Sequence, residues 1–460
     1  MSRGAVQWPA LRRVAIFAVA LAFASSPAAG GEVVTLAQCV DQALSAGPDM
    51  KLSAASLAMA QAQYVASTAR NAIGLDGNAG LSLGSGQGNS VSGSLQAGLS
   101  LSAPLGTSVG LNASHSIAGT DPMGQSTSLK LNASSTLWDG YPGGSAVATA
   151  RQADLSLQGK QISEDANRKS IVYQVKQAYY TLLSQQRQLA ILQQTLVKRQ
   201  EEMKKTQALY DAESANQIDL KQAQINERQA ELDLARAQGN VELTREDLSA
   251  LVGWPIEQTY SVAETDDLTV PDLDVAAAVK TALGQRSDMK QSALNLASGD
   301  ISVALARAKG SLTVNANGSL SLTQAWQPVM DTSIGWSAGL QVSMPILDAG
   351  ATDTAVKQAE LQNETLAIQQ DKLAASIATN VKGAIYSLKD LLARVDLAAS
   401  GLELAQNQYD LAKLQFESGV SSNLDMLGAS VSFTSAQVGL AKARSDAQLG
   451  VLALQNALGN

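Results

Sequence analysis

Val175, Leu182, Leu189, Leu196, Met203 and Tyr210 fall on every seventh residue, and Leu388, Val395, Leu402, Tyr409 and Phe416 repeat the beat near the other end of the chain. Leu391, Ala398, Ala405 and Ala412 form a second column three residues further on. An apolar heptad with small residues on one side is the seam of a coiled coil whose helices approach closely. The spacing predicts uninterrupted helices over 145–212 and 352–417. At 1.5 Å per residue each is roughly 100 Å long. A compact globule cannot house such rods, so paired, elongated helices must dominate the fold.

The chain is written twice. Residues 36–51 (LAQCVDQALSAGPDMK) lie over 275–290 (VAAAVKTALGQRSDMK), and the register runs without a gap to Leu81-Ser82-Leu83 over Leu320-Ser321-Leu322. LWDG at 137–140 answers ILDAG at 346–350, and Tyr210 with Asp219 answers Phe416 with Asp425. The expected division is a signal peptide over 1–30, repeat 1 over 31–253, a connector over 254–274 broken by Pro255 and Pro271, and repeat 2 over 275–460. Each repeat opens with one helix, 36–70 or 275–309. A strand region follows, 75–138 or 311–345. A long helix then leads to a tip turn, 210–219 or 416–425, and a last helix ends the repeat.

Arg3, Arg12 and Arg13 flank a short apolar run at 14–24, and Ala28-Ala29-Gly30 offers small residues for cleavage near Gly31 or Glu32. That is the pattern of a secretory signal. No later segment is a long uninterrupted apolar run, so an exported chain of this kind meets a membrane through β-strands. The net charge of −8, with no basic stripe, argues against nucleic acid. The only cysteine, Cys39, sits inside a predicted helix beyond the cleavage site, which favours a buried apolar side chain over a lipid anchor.

Residues 311–321 and 332–344 alternate apolar with small or polar side chains, and so do 75–83, 91–103, 108–117 and 126–137. Weak alternation between Gly/Asn/Asp/Pro turns fits membrane β-barrel strands. The first half carries an extra pair of strands, which belongs either to the barrel or to an extracellular flap. A few strands cannot close a barrel, and open edges in lipid leave unsatisfied backbone groups at several kcal/mol each. Several chains must therefore share one barrel.

Enzymatic readings find little support. Gly106-Thr107-Ser108-Val109-Gly110 matches a nucleophile elbow, yet the only histidine, His115, follows a few residues on with no acid between and no helix. One His and one Cys provide no usual zinc site, and no phosphate-cradling GxxxxGK[ST] occurs. No catalytic, cofactor-binding or metal-ligating residue is assigned.

The duplication, the helix–hairpin–helix order, PILDAG at 345–350 and FESGVSSNLD at 416–425 together resemble the TolC family of outer-membrane efflux channels. The resemblance covers essentially the whole mature chain. It implies a mainly α fold with a membrane β-hairpin region. In that arrangement a homotrimer shares a twelve-stranded barrel in outer-membrane lipid, continued by a long α-helical coiled-coil barrel across the periplasm. Periplasmic adaptor proteins and inner-membrane RND or ABC transporters dock at the closed periplasmic end. The family's tip motif maps onto Phe416, Gly419 and Asp425, and in the first half onto Tyr210 and Asp219. Glu213 stands where the family has the glycine. Ser421 and Gly428 stand where some relatives carry a basic and an acidic residue.

Two readings of the tip stay open. Asp219 and Asp425 could form acidic rings at a pore mouth. Each also follows an Asn or Ser by three residues, as a helix-capping acid does. Gly419 suits a left-handed turn, Tyr210 and Phe416 suit packing at the last seam position with gate contact as the alternative, and Trp138, Trp326 and Trp336 suit either bilayer interfaces or ordinary barrel packing. The expected function is an exit channel for small molecules. The alternatives are a channel for a secreted polypeptide (type I secretion) and a periplasmic structural tether.

Overall fold

A computed structural model describes residues 32–69, 74–85, 91–103, 107–119, 124–213, 216–265, 269–271, 273–326, 330–418, 420–421 and 423–459. The expected signal peptide, Gly419 and Ser422 lie outside them. After β1 (Glu32–Val34), the first half runs α1 (Leu36–Ala46), α2 (Pro48–Ala69), β2 (Gly74–Ser85), β3 (Val91–Ala103), β4 (Thr107–Gly119), β5 (Gly124–Trp138), α3 (Ser145–Asp211) and α4 (Gln217–Val252). After β6 (Tyr260–Val262), the second half repeats the plan with α5 (Val275–Gln285), α6 (Ser287–Lys309), β7 (Thr313–Ala325), β8 (Asp331–Ser343), α7 (Ala351–Glu417) and α8 (Asn423–Leu458).

The helices expected over 36–70 and 275–309 are each broken in two. Gly47 leaves helical geometry at φ −58°, ψ 145°, because the proline after it lacks an N–H and disfavours the α conformation in its neighbour. Arg286, the register equivalent of Gly47, is extended at φ −62°, ψ 132°. It has no proline behind it. Its guanidinium instead donates to Asp288 at 2.7 Å and to the Ala457 carbonyl at 3.2 Å. The bend is thus made by ring sterics in one half and by side-chain hydrogen bonds in the other.

The rods are matched. α3 and α7 each have 67 residues, and α4 and α8 each have 36. α3 pairs with α4 and α7 with α8, while α3 also packs on α8 and α6. Val175, Leu182 and Leu388 are fully buried. Farther along the rods the seam residues Leu196, Met203, Val395 and Leu402 are only half-buried within one chain.

Cores form where elements cross. β1 and β6, which the sequence reading missed, make a short parallel ladder against α3. The buried cluster there includes Cys39, Val175, Tyr179, Leu182, Leu248 and Tyr260. Burial pushes the Cys39 thiol up to about 11, so it stays protonated. The Tyr179 hydroxyl donates to the Ala263 carbonyl at 2.8 Å and lies 3.4 Å from the Val34 carbonyl. Burial, together with Cys39 and Tyr180 nearby, pushes that phenol up to about 12. A matching cluster in the second half gathers Ala282, Ile377, Val381, Ile385 and Leu388.

β2 to β5, β7 and β8 form one antiparallel sheet in the order β2-β3-β4-β5-β7-β8. The extra pair, β3 and β4, is continuous with the rest. A shared twelve-stranded barrel of three chains needs four strands from each, and this chain has six in the sheet. Among the described residues no helix is long and apolar enough to cross a membrane.

Tyr179→Phe removes one buried hydrogen bond, a loss of about 1 kcal/mol or somewhat more. Amide exchange at Val262 and Ala263 is expected to accelerate by about tenfold. Unchanged exchange there would show that apolar contacts alone hold the β1–β6 ladder.

Candidate functional site

Two regions carry features that the core does not need: the sheet and the two helical tips. The register sorts the sheet's side chains by face, apart from the Thr107–Ser135 pair at the helix end of the leucine face. Leu99, Leu111, Leu131, Leu320 and Trp336 lie in one row across five strands, and Leu99, Leu320 and Trp336 are 49%, 48% and 79% exposed. The opposite face bears hydroxyls that pair across strands. Ser82 with Ser94 (2.6 Å), Ser114 with Ser128 (2.7 Å), Ser116 with Ser126 (2.8 Å) and Ser319 with Ser337 (2.8 Å) are examples. Asp76, Lys130 and Asp331 are the only Asp, Glu, Lys or Arg residues in the six strands. The register puts all three on the hydroxyl face. One face is therefore suited to hydrocarbon and the other to water.

The apolar face ends in polar groups at the edge away from the helices. His115 Nδ1 is 2.9 Å from Thr127 Oγ1, and the Trp326 indole donates to that oxygen at 3.1 Å. Trp326 and Trp138 stand at strand ends, as interfacial indoles do. Trp336 is mid-strand, away from either end. The elbow-like Ser108 points to the hydroxyl face and pairs with Ser134 at 2.8 Å. His115 lies on the other face of the same strand, so the two cannot cooperate. Gly106 lies outside the described residues.

The LWDG and ILDAG motifs join strand to helix. Asp139 accepts from the Ser145 N–H at 2.6 Å and the Tyr141 N–H at 3.2 Å. Asp348 accepts from the Thr352 N–H at 2.8 Å and the Gly350 N–H at 3.0 Å. Partial burial of Asp139 raises its carboxyl, but the hydrogen bonds from Ser145 and Tyr141 outweigh this and hold it below the usual carboxylate range. Thr352 holds Asp348 below that range too. A depressed carboxyl stabilises at neutral pH, and the contribution fades as pH falls through the depressed value. Gly140 has φ +87°, and a Cβ there would strike Ser311 and the Ala308 backbone. That close approach binds the first junction to the second half.

At the first tip, Asn216 caps α4, with its side chain accepting from the Asp219 N–H at 2.8 Å. Asp219 is therefore the third residue of the helix and is half-buried. At the second tip Asp425 is exposed in the first turn of α8, and Ser421 donates to it at 3.2 Å. Tyr210 is 37% exposed and Phe416 is half-buried. The two tips stand side by side. Lys205, near the end of α3, lies 5.4 Å from the Phe416 ring centre. One heptad earlier, Lys198 lies 5.3 Å from Phe433, which stacks on Tyr409 at 5.6 Å. The sequence reading missed these lysines; their seven-residue spacing puts them on one face of α3 but does not say what that face meets.

Among the described residues no cluster of His, Cys, Asp or Glu could hold a metal ion. Comparison with known proteins fits this geometry. The family of outer membrane efflux proteins matches residues 105–254 and 278–460. The chain belongs to that family, whose members are outer-membrane transport proteins rather than enzymes. Nodulation protein T of Rhizobium leguminosarum bv. trifolii is 22% identical over 63% of this chain and 63% of its own length. The probable efflux pump outer membrane protein TtgC of Pseudomonas putida is 25% identical over 65% of this chain and 62% of its own. The chain thus spans less than two thirds of these relatives. The crystal structure of VceC from Vibrio cholerae shares the fold with a TM-score of 0.72, at 19% identity over 92% of this chain and 96% of that one.

Glu213 has φ +56°, a left-handed conformation that costs a side-chain-bearing residue about 1–2 kcal/mol. Glu213→Gly is expected to relieve it and to slow amide exchange across residues 208–220 by about fivefold. Faster exchange would mean that the glutamate side chain holds the turn.

Proposed function

We propose that three copies of this chain form a duct that leads from the periplasm through the outer membrane and exports small molecules. The observation that carries the reading is the two-faced sheet set on paired rods of roughly 100 Å. Its leucine face meets lipid, its hydroxyl face lines an aqueous lumen, and the rods continue that lumen toward the cell. Residues 31–253 and 275–460 act as two repeats joined by the connector 254–274, with 1–30 as the export signal. The name of the Pseudomonas putida relative, a probable efflux pump outer membrane protein, favours efflux.

The copy-to-copy contact follows from what one chain leaves uncovered. Because α3 packs on α8, α4 and α7 are the outer members of the two helical pairs. Both carry an exposed heptad stripe: Ile218, Ile225 and Leu232 on α4, and Leu397, Leu404 and Leu411 on α7. The α7 stripe of one copy meets the α4 stripe of the next, and three such contacts close a ring. Six tips then converge, bringing Asp219 and Asp425 to the mouth as acidic groups that favour cations. Tyr210 and Phe416 pack beneath. An adaptor and an inner-membrane transporter open the mouth by binding the open form preferentially. Opening separates Lys198 and Lys205 from their rings, contacts worth about 0.5–1 kcal/mol each at exposed sites.

Leu404→Lys places a charge in the stripe and is expected to shift the detergent-solubilised protein from trimer to monomer in light scattering. A trimer that persists would remove α7 from the contact.

Single-channel conductance in a planar bilayer tests the mouth. Wild type is expected to give a small, cation-selective conductance blocked by divalent cations. Asp219→Ala with Asp425→Ala should lose both selectivity and block. Unchanged selectivity in the double variant would reduce both aspartates to helix-start residues. A folded trimer that never conducts would point to a tether.

A further inference from the structure

The extra hairpin makes this chain's share of the barrel larger than the resemblance implied. We infer that β3 and β4 are part of the membrane wall, that the β8 edge of each copy pairs with the β2 edge of the next, and that the closed trimer is an eighteen-stranded barrel. The inference rests on the trimeric reading above for its copy number. It rests on the sheet itself for the six strands per copy.

Four observations carry it. First, β3 and β4 pair with their neighbours in unbroken register over most of their length. A flap held away from the wall would leave β2 next to β5. Instead, those strands are separated by the hairpin. Second, β3 and β4 keep the same sidedness as the rest. Leu95, Leu99 and Leu101 on β3 and Val109 and Leu111 on β4 are all exposed on the leucine face. Ser94, Ser114 and Ser116 meanwhile join the hydroxyl pairs on the other face. A hairpin in water has no use for a continuous leucine face.

Third, the edges match. β2 has 12 residues and β8 has 13. β2 leaves α2 and runs away from the helices, whereas β8 runs back into α7, so edge pairing between copies is antiparallel like every other pairing in the sheet. Both edges would otherwise hold unpaired N–H and C=O groups in hydrocarbon. The helices next to the sheet keep the same order: α2 packs on α3, α3 on α6 and α6 on α7. The open sides therefore coincide in both layers, α2 with β2 and α7 with β8.

Fourth, the sizes agree. Strands about 4.8 Å apart and tilted about 40° take up roughly 6 Å of circumference each. Eighteen make a ring of about 110 Å, and twelve make one of about 75 Å. Four helices per copy meet the sheet, α2, α3, α6 and α7, and twelve helices roughly 8–10 Å apart also make a ring of about 110 Å. The eighteen-stranded ring sits on the helical tunnel without a taper. A barrel of that size holds a water-filled lumen, which leaves the narrow point of the duct at the helical tips.

The test uses the full chain in phosphatidylcholine vesicles, with single cysteines introduced one at a time at positions 94–101 and spin-labelled. Cys39 is sealed in the core and stays unlabelled. Collision with oxygen, which concentrates in lipid, is compared with collision with a water-soluble nickel chelate. The expected result is alternation: Leu95, Ala97, Leu99 and Leu101 positions see lipid, and Ser94, Gln96, Gly98 and Ser100 positions see water. Access to the chelate at both parities would place the hairpin outside the membrane and overturn the inference. Electron microscopy of the particle in nanodiscs then counts strands and copies. Three copies with eighteen strands are expected. Three copies with twelve strands would overturn the inference while leaving the duct. Another copy number, even with six strands each, would overturn both the eighteen-stranded count and the trimeric reading.

Discussion

A hydrocarbon layer offers no partner to a backbone N–H or C=O, and much of this molecule answers that fact. The six strands satisfy one another across the sheet, but β2 and β8 each keep one side open. Within one chain those groups have nowhere to go. In the proposed trimer the demand for closure makes the single-chain sheet a fraction of a larger barrel, and the exposed leucines then read as a finished lipid-facing surface rather than an exposed core.

The rods answer a different need. A sheet in the membrane must be held in position relative to a tip roughly 100 Å away, and a lone helix of that length bends. Pairing α3 with α4 and α7 with α8 stiffens each rod through a heptad seam. Small residues such as Ala398, Ala405 and Ala412 keep the pairs narrow. The junctions pass that stiffness to the sheet. Asp139 and Asp348 collect N–H groups at the helix starts, and Gly140 lets the two halves touch where any side chain would separate them.

Much of this was legible because it is periodic. Alternation located all six strands to within a few residues, and the heptads located α3 and α7. Non-periodic features were missed. β1 and β6 are too short to show alternation, and they lie where the Tyr179 hydroxyl of α3 reaches the Val34 and Ala263 carbonyls. The bend at Arg286 carries no proline, and only its contacts with Asp288 and Ala457 explain it. At the tips, Asn216 was legible as a cap for Asp219. The placing of Lys198 and Lys205 over aromatic rings depends on how one helical pair lies against the other, which no local pattern encodes.

The sequence by itself determined the two repeats, the lengths of the rods, the sidedness of each strand and the position of each tip, because these follow from side-chain order along a single element. Only the tertiary structure decided that the extra hairpin joins the sheet, that α3 lies on α8 and that the two tips stand together. Those outcomes depend on pairing between segments far apart in the chain. Strand order and helix neighbours are set by which surfaces remain uncovered once each element has formed, and that is a property of the assembled chain.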